Sequence, residues 1–265
     1  MRTRDIIVDA DRGPLPCLLA EPESLAPRPA LLLNFAADRY TSIGEAPFDI
    51  PARAFVAAGH RVLSFDLPFH GEREIPGRPV GIAGFCDAFA GREDPFAQFV
   101  AEGRCVLDAV IRTGLAEAGQ AFVAGTSRGG YCALRLMAAD ARIGGGAAYA
   151  PVTDWRVLQE FAEAKERPEV AALALTRYAA ALAGRPVWVA IGNADARVGT
   201  DRCLQFALSL AEAESAADVT ASRVQFHVVP ETGHSLSDDW RSAGARFLVG
   251  LVRESEGATT KARSV

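Results

Sequence analysis

The stretch Ala121-Phe122-Val123-Ala124-Gly125-Thr126-Ser127-Arg128-Gly129-Gly130-Tyr131 joins an apolar run to an amphipathic one, and its reading decides the fold. Ala121 to Ala124 reads as a short buried strand and Gly129 to Ala139 as a helix. A serine between them, with glycines at 125 and 129, fits a tight strand-to-helix turn. Such a turn holds its serine in a strained backbone conformation, and the glycines remove Cβ atoms that would collide as strand and helix approach. The competing reading is a glycine-rich turn with an ordinary serine, and the rest of the chain decides between the two.

A serine hydroxyl is a weak nucleophile at neutral pH, so Ser127 needs a base and an acid behind it. Asp195 follows the strand-like run Pro186 to Ile191, and His234 follows the run Arg223 to Val229 and precedes a closing helix. The chain order is therefore Ser, Asp, His, each at the C-terminal end of an expected strand, as a nucleophile elbow requires. Two other acids compete with Asp195: Asp154, after an earlier strand, and Asp201, which also suits a helix cap. In this arrangement Ser127 attacks an acyl carbonyl, His234 relays the proton, and Asp195 orients the imidazole.

Taken together, Gly125-Thr-Ser127-Arg-Gly-Gly-Tyr131, Asp195-Ala-Arg-Val198, Thr232-Gly-His234 and Tyr149-Ala-Pro151-Val-Thr-Asp154-Trp155 resemble the α/β-hydrolases, in particular the prolyl oligopeptidase and dienelactone hydrolase-like branch. The resemblance spans residues 28 to 252. It differs from that branch in two places: Asn34-Phe35 stands where a His-Gly pair is common, and Arg128 where many relatives carry a small or aromatic residue. For the oxyanion, the backbone N–H of Arg128 is the first expected donor. Phe35 or Ala36 is the second, and the resemblance points first to Phe35. Phe35 and Tyr149 are expected at the base of the substrate pocket and Trp155 at its rim, although Phe35 also suits a core position. Asp66 and His70, in Asp66-Leu-Pro-Phe-His70-Gly71, are expected to support a loop. Arg128 suits either a carboxylate of the substrate or a surface ion pair.

The remaining segments alternate strand and helix. Ile6 to Val8 and Leu15 to Ala20 suggest an opening hairpin; Ala30 to Phe35, Arg61 to Phe65 and Gly146 to Tyr149 read as strands; Ile50 to Ala58, Phe96 to Arg112 and Asp201 to Ala216 as helices. The expected fold is α/β, an α/β-hydrolase fold with a mostly parallel sheet and helices on both faces. Residues 1–252 form one domain, with 155–183 as a small helical cap over the cleft, Pro68 to Pro95 as a loop bordering it, and 253–265 as a polar tail.

Composition narrows the function classes. The chain has 265 residues, 49% hydrophobic and 23% charged, enough for one large core. A net charge of −5 offers no electrostatic footprint for nucleic acid. No apolar run reaches the length of a membrane span, and acids at positions 5, 9 and 11 disfavour a secretory signal, so a cytoplasmic location is expected. The five cysteines have no metal-ligand spacing, and neither a metal nor another cofactor is expected. The expected activity is hydrolysis of a small or medium carboxylic ester through an acyl-enzyme. Peptidase, amidase or acyltransferase chemistry on the same fold, or an inactive binding protein, are the alternatives, and homo-oligomerisation is left open.

Overall fold

The computed structural model describes residues 1–263. Its strands are β1 (Arg2–Ala10), β2 (Gly13–Glu21), β3 (Leu31–Phe35), β4 (Arg61–Phe65), β5 (Ala121–Thr126), β6 (Ile143–Tyr149), β7 (Val187–Gly192) and β8 (Val224–Val229). The helices are α1 (Arg39–Gly44), α2 (Ile50–Ala57), α3 (Gly81–Ala90), α4 (Pro95–Arg112), α5 (Arg128–Ala139), α6 (Pro168–Ala171), α7 (Ala179–Leu182), α8 (Thr200–Ala216) and α9 (Asp238–Arg263).

The strands form one sheet in the order β1-β2-β4-β3-β5-β6-β7-β8. β1 and β2 are antiparallel, β2 runs antiparallel to β4, and the remaining neighbours are parallel. Every residue of β3, β5 and β7 is buried, which is why their sequences are unbroken apolar or small runs. The edge strands β1 and β8 carry exposed positions instead. This is the α/β-hydrolase fold expected from the sequence.

Helices α2 and α9 pack against each other on one face, with α9 against β6 and β7. On the other face α5 packs on β3, β5 and β6, with α4 and α7 against it and α8 against α7 and β7. Helix α4 starts cleanly because Asp94 accepts the amides of Phe96 and Ala97 at 3.0 and 2.9 Å and Pro95 takes the first turn. No helix among the described residues is long and apolar enough to cross a membrane. All five cysteines are free thiols.

Three expectations change. Helix α9 continues to Arg263, through most of the stretch read as a polar tail, while the last two residues lie outside the described ones. The stretch Pro68 to Pro95 contains helix α3 rather than only loop. Residues 155–183 are a series of short turns and helices whose apolar side chains, Phe161, Val170, Leu175 and Leu182 among them, are fully buried. They pack on α3, α5 and α8, with those apolar side chains in the core.

Candidate active site

Ser127 closes β5 and precedes α5 with φ 56° and ψ −120°, a strained conformation for a residue with a side chain. The surrounding backbone enforces it. A Cβ on Gly125 would collide with the Gly129 carbonyl, and one on Gly129 with the carbonyl of Phe35, so neither position accepts another residue. The Ser127 amide donates to the Tyr149 carbonyl at 2.9 Å, and the Ser127 carbonyl accepts from Tyr131 and Val152, each at 3.1 Å.

Asp195 follows β7 with its side chain fully buried. One carboxylate oxygen accepts the amides of Arg197 and Val198 at 2.9 and 3.2 Å. The other lies 2.8 Å from Nδ1 of His234. The Asp195 amide donates to the Thr200 hydroxyl at 3.0 Å, which donates in turn to the Gly192 carbonyl at 2.6 Å. The carboxylate is thereby fixed in orientation from both sides.

His234, on the loop after β8, completes the chain: its Nε2 is 2.9 Å from Ser127 Oγ. A carboxylate can only accept, so the proton sits on Nδ1 and the Nε2 lone pair takes the serine hydroxyl. The three residues expected from the sequence are thus brought together across 107 residues of chain between Ser127 and His234. The competing acids are engaged elsewhere. Asp154 caps the turn at Trp155–Val157 and pairs with Arg156 at 2.6 Å, and Asp201 sits exposed in the first turn of α8.

Ser127 and His234 open onto a cavity of about 280 Å³ whose apolar wall includes Ala36, Ala37, Pro47, Phe48 and Leu236. The wall comes from the β3–α1–α2 segment and the start of α9. Neither Phe35, Tyr149 nor Trp155 lines it, which corrects the expected pocket. Phe35 is 1% exposed, its ring edge-on to Phe65 and Phe99 at 5.2 and 5.1 Å. Tyr149 packs on Trp188 and donates its hydroxyl to the Arg241 carbonyl at 3.1 Å. Trp155 lies within an aromatic cluster of Phe85, Phe96, Tyr131 and Phe161. Residues at and just past strand ends alternate between cavity and core, and packing selects the core for these three.

Ala36, not Phe35, reaches the cavity wall beside Ser127 and Arg128. Its amide donates to Ser42 Oγ at 2.9 Å, and that hydroxyl donates to the Asp38 carbonyl at 2.6 Å. Arg128 is the first residue of α5, an N-terminus without a side-chain cap, where the first amides are free to face an anion.

The loop-supporting roles hold. Asp66 accepts the amides of Arg39 and Glu72 and pairs with the Arg39 guanidinium at 2.8 Å, while His70 Nδ1 meets the Pro68 carbonyl at 2.9 Å. Burial, followed by the charge of Arg128, pushes the His70 imidazole down to about 4. Among the described residues no group of three or more His, Cys, Asp or Glu side chains is arranged to hold a metal ion.

Arg241 is the residue that the sequence reading missed. It is 3% exposed, lines the cavity, and donates to Thr126 Oγ1 at 2.9 Å. Its signal was available: Arg241, Ala245, Leu248 and Val252 are all buried on one stripe of α9, an arginine on the apolar side of a helix.

Solved structures of like fold include the Thermus thermophilus protein TT1662, 24% identical, with a TM-score of 0.71 over 95% of this chain and 99% of that one. An acetyl xylan esterase from Paenibacillus sp. R4 is 16% identical, with a TM-score of 0.69 over 93% of this chain and 83% of that one. A puromycin-hydrolyzing peptidase from Mycobacterium tuberculosis is 19% identical, with a TM-score of 0.64 over 96% of this chain and 38% of that one. No curated protein matches the chain. The model of the prolyl oligopeptidase family matches residues 92–248, from the start of α4 through the elbow and both partner residues into α9. The chain therefore belongs to the prolyl oligopeptidase family, a hydrolase on the α/β-hydrolase fold.

Proposed function

We propose that the protein is a serine hydrolase that cleaves a small or medium carboxylic ester through an acyl-enzyme. The observation that carries this reading is the unbroken hydrogen-bonded chain from buried Asp195 through His234 to Ser127, ending at the wall of a cavity. Ser127 Oγ attacks the ester carbonyl while His234 Nε2 takes its proton. The Asp195 carboxylate stabilises the imidazolium that results. The amide of Arg128 donates to the oxyanion. Ala36 supplies the second amide, exchanging its bond to Ser42 for one to the substrate oxygen. Collapse of the tetrahedral species expels the alcohol, which takes the proton from Nε2. Water then attacks the acyl-enzyme with His234 as base, releasing the acid and restoring Ser127.

The fold does not choose between ester and peptide, since structures of like fold include both esterases and peptidases. Cavity size favours the ester. A space of about 280 Å³ holds a compact acyl or alcohol group and leaves little room for several peptide residues.

The test combines a fluorophosphonate label with matched panels of esters and peptides. Labelling at Ser127, together with a higher kcat/KM on short-chain esters, is expected. A labelled serine with a clear peptide preference overturns the substrate assignment. An unlabelled Ser127 in folded protein overturns the mechanism.

A further inference from the structure

The cavity beside Ser127 is lined by two arginines, Arg128 and Arg241, and by no aspartate or glutamate. Burying a cation is costly unless an acid or several acceptors compensate it. Elsewhere this chain follows that rule. Arg39, 3% exposed, pairs with Asp66 at 2.8 Å and Glu72 at 2.6 Å. Half-buried Arg185 has no carboxylate, but its guanidinium donates to the carbonyls of Met137, Asp140 and Ile143.

The two cavity arginines do not. Arg128 forms no hydrogen bond or ion pair through its side chain among the described residues, and its Nε is buried without an acceptor. The acids whose charge it feels, Asp38 and Glu160, are engaged elsewhere. Asp38 accepts the amides of Tyr40 and Thr41 and the Thr41 hydroxyl, and Glu160 grips Arg197 through two bonds of 2.9 and 2.6 Å. Arg241 has only the neutral acceptors Thr126 Oγ1 and the Leu236 carbonyl, with the rings of Phe48 and Tyr149 at 5.5 and 5.9 Å. Among the described residues neither guanidinium is paired with a carboxylate: Arg241, like Arg128, feels its nearest acids, Asp238 and Glu231, only beyond contact, and burial holds both guanidinium pKa values below the ordinary arginine value without removing the charge. His70, close enough to Arg128 for that charge to shift it, is neutral above about pH 4 and adds no anion.

We propose that the substrate of this site carries a carboxylate, paired by the Arg128 guanidinium and attracted by the Arg241 guanidinium, which forms no ion pair among the described residues. This rests on the ester-hydrolase reading above and deepens it: the ester is half of an acidic molecule, with its anionic group within the reach of an arginine from Ser127. A planar guanidinium with free donors matches a carboxylate through two parallel bonds, and the apolar walls raise the worth of that pair. The elbow residue after the nucleophile then serves twice, its amide facing the oxyanion and its side chain selecting the substrate.

The test compares esters that differ only in that charge. Monomethyl adipate is matched with its neutral terminal carboxamide, and 3-carboxyphenyl acetate with 3-carbamoylphenyl acetate, so that the carboxylate lies on the acyl side in one pair and on the alcohol side in the other. Binding is measured by calorimetry to full-length S127A, and kcat/KM is measured on the wild-type enzyme. In at least one pair the acid is expected to bind S127A about tenfold or more tightly than the amide, with the ratio falling as salt is raised. Adding Arg128→Gln brings the ratio close to one, whereas Arg128→Lys keeps part of it; Arg241→Gln lowers it by a smaller factor. Acid-to-amide ratios near one in both pairs overturn the proposal, as does a ratio that neither arginine substitution changes. Charge-selective binding without turnover and without labelling of Ser127 keeps the carboxylate site and overturns the hydrolase reading instead.

Discussion

The Ser127 amide donates to the Tyr149 carbonyl at 2.9 Å, so the residue expected to offer its ring to the substrate holds the nucleophile by its main chain. With Val152 N–H on the Ser127 carbonyl at 3.1 Å, the end of β6 clamps the elbow from both sides. The strained φ of Ser127 is thereby maintained by backbone bonds independent of the serine side chain, and the side chain is free for chemistry.

Replacing Ser127 with Ala leaves that clamp in place. The variant is expected to melt within a few degrees of wild type and to lose kcat by about 10⁴-fold or more. Stopped-flow acylation together with a thermal melt checks both halves. Retained burst kinetics in S127A point to a different nucleophile.

Replacing Asp195 with Asn keeps the shape but removes the charge behind His234 Nδ1. A loss of about 10³- to 10⁴-fold in kcat is expected, with KM little changed. Asp154→Asn, which breaks only a pair with Arg156, is expected to change kcat by less than about tenfold. Single-turnover kinetics on both variants decides which acid serves the histidine.

Gly125→Ala and Gly250→Ala make a paired test of packing. At 125 a Cβ meets the backbone of Gly129, and the variant is expected not to accumulate as folded protein. At 250, inside α9, a Cβ meets nothing within 4 Å, and the better helix former stabilises by about 0.5–1 kcal/mol. Denaturant titration of G250A and soluble yield of G125A measure the two effects.

Trp155 is wholly buried among four aromatic rings. Trp155→Ala is therefore expected to cost about 3–5 kcal/mol of stability while leaving acyl-chain selectivity of the folded fraction intact. Altered selectivity with little loss of stability contradicts the core placement.

His70 makes stability depend on pH. Its imidazole titrates near the ordinary value of 6.5 when unfolded and at about 4 when folded. Between these values the unfolded chain binds a proton that the folded one does not, so stability is greatest above pH 6.5 and falls as pH drops toward 4. The loss amounts to about 3 kcal/mol and levels off below that. His70→Asn keeps a donor for the Pro68 carbonyl and removes the titration. Its unfolding free energy is expected to fall less than that of wild type between pH 7 and 4.5, and parallel curves exclude this origin of acid sensitivity.

Several features were legible because they are local. Unbroken apolar runs mark the central strands, and their alternation with amphipathic runs leaves few topologies that bury both faces. The elbow is a short-range steric event, written in Gly125 and Gly129. Serine, aspartate and histidine, each at a strand end, follow from the same logic, since parallel strands deliver their C-terminal loops to one edge of the sheet.

What surrounds that edge was decided only by tertiary packing. Whether Phe35 or Ala36 faces the cavity depends on a single step in the chain beyond β3, where packing against Phe65 and Phe99 drew the larger ring inward. Residues 155–183 were drawn into the core by their own apolar side chains, and the cavity wall fell instead to the segment between β3 and α2 and to α9. The sequence by itself determined the sheet, the elbow and the order of the relay, because each rests on residues adjacent in the chain or on a periodic pattern. The contact of Asp195 rather than its rivals with His234, the identity of the pocket wall and the meeting of Arg128 and Arg241 at one cavity arose from side chains distant in the chain packing together, a relation that no local pattern encodes.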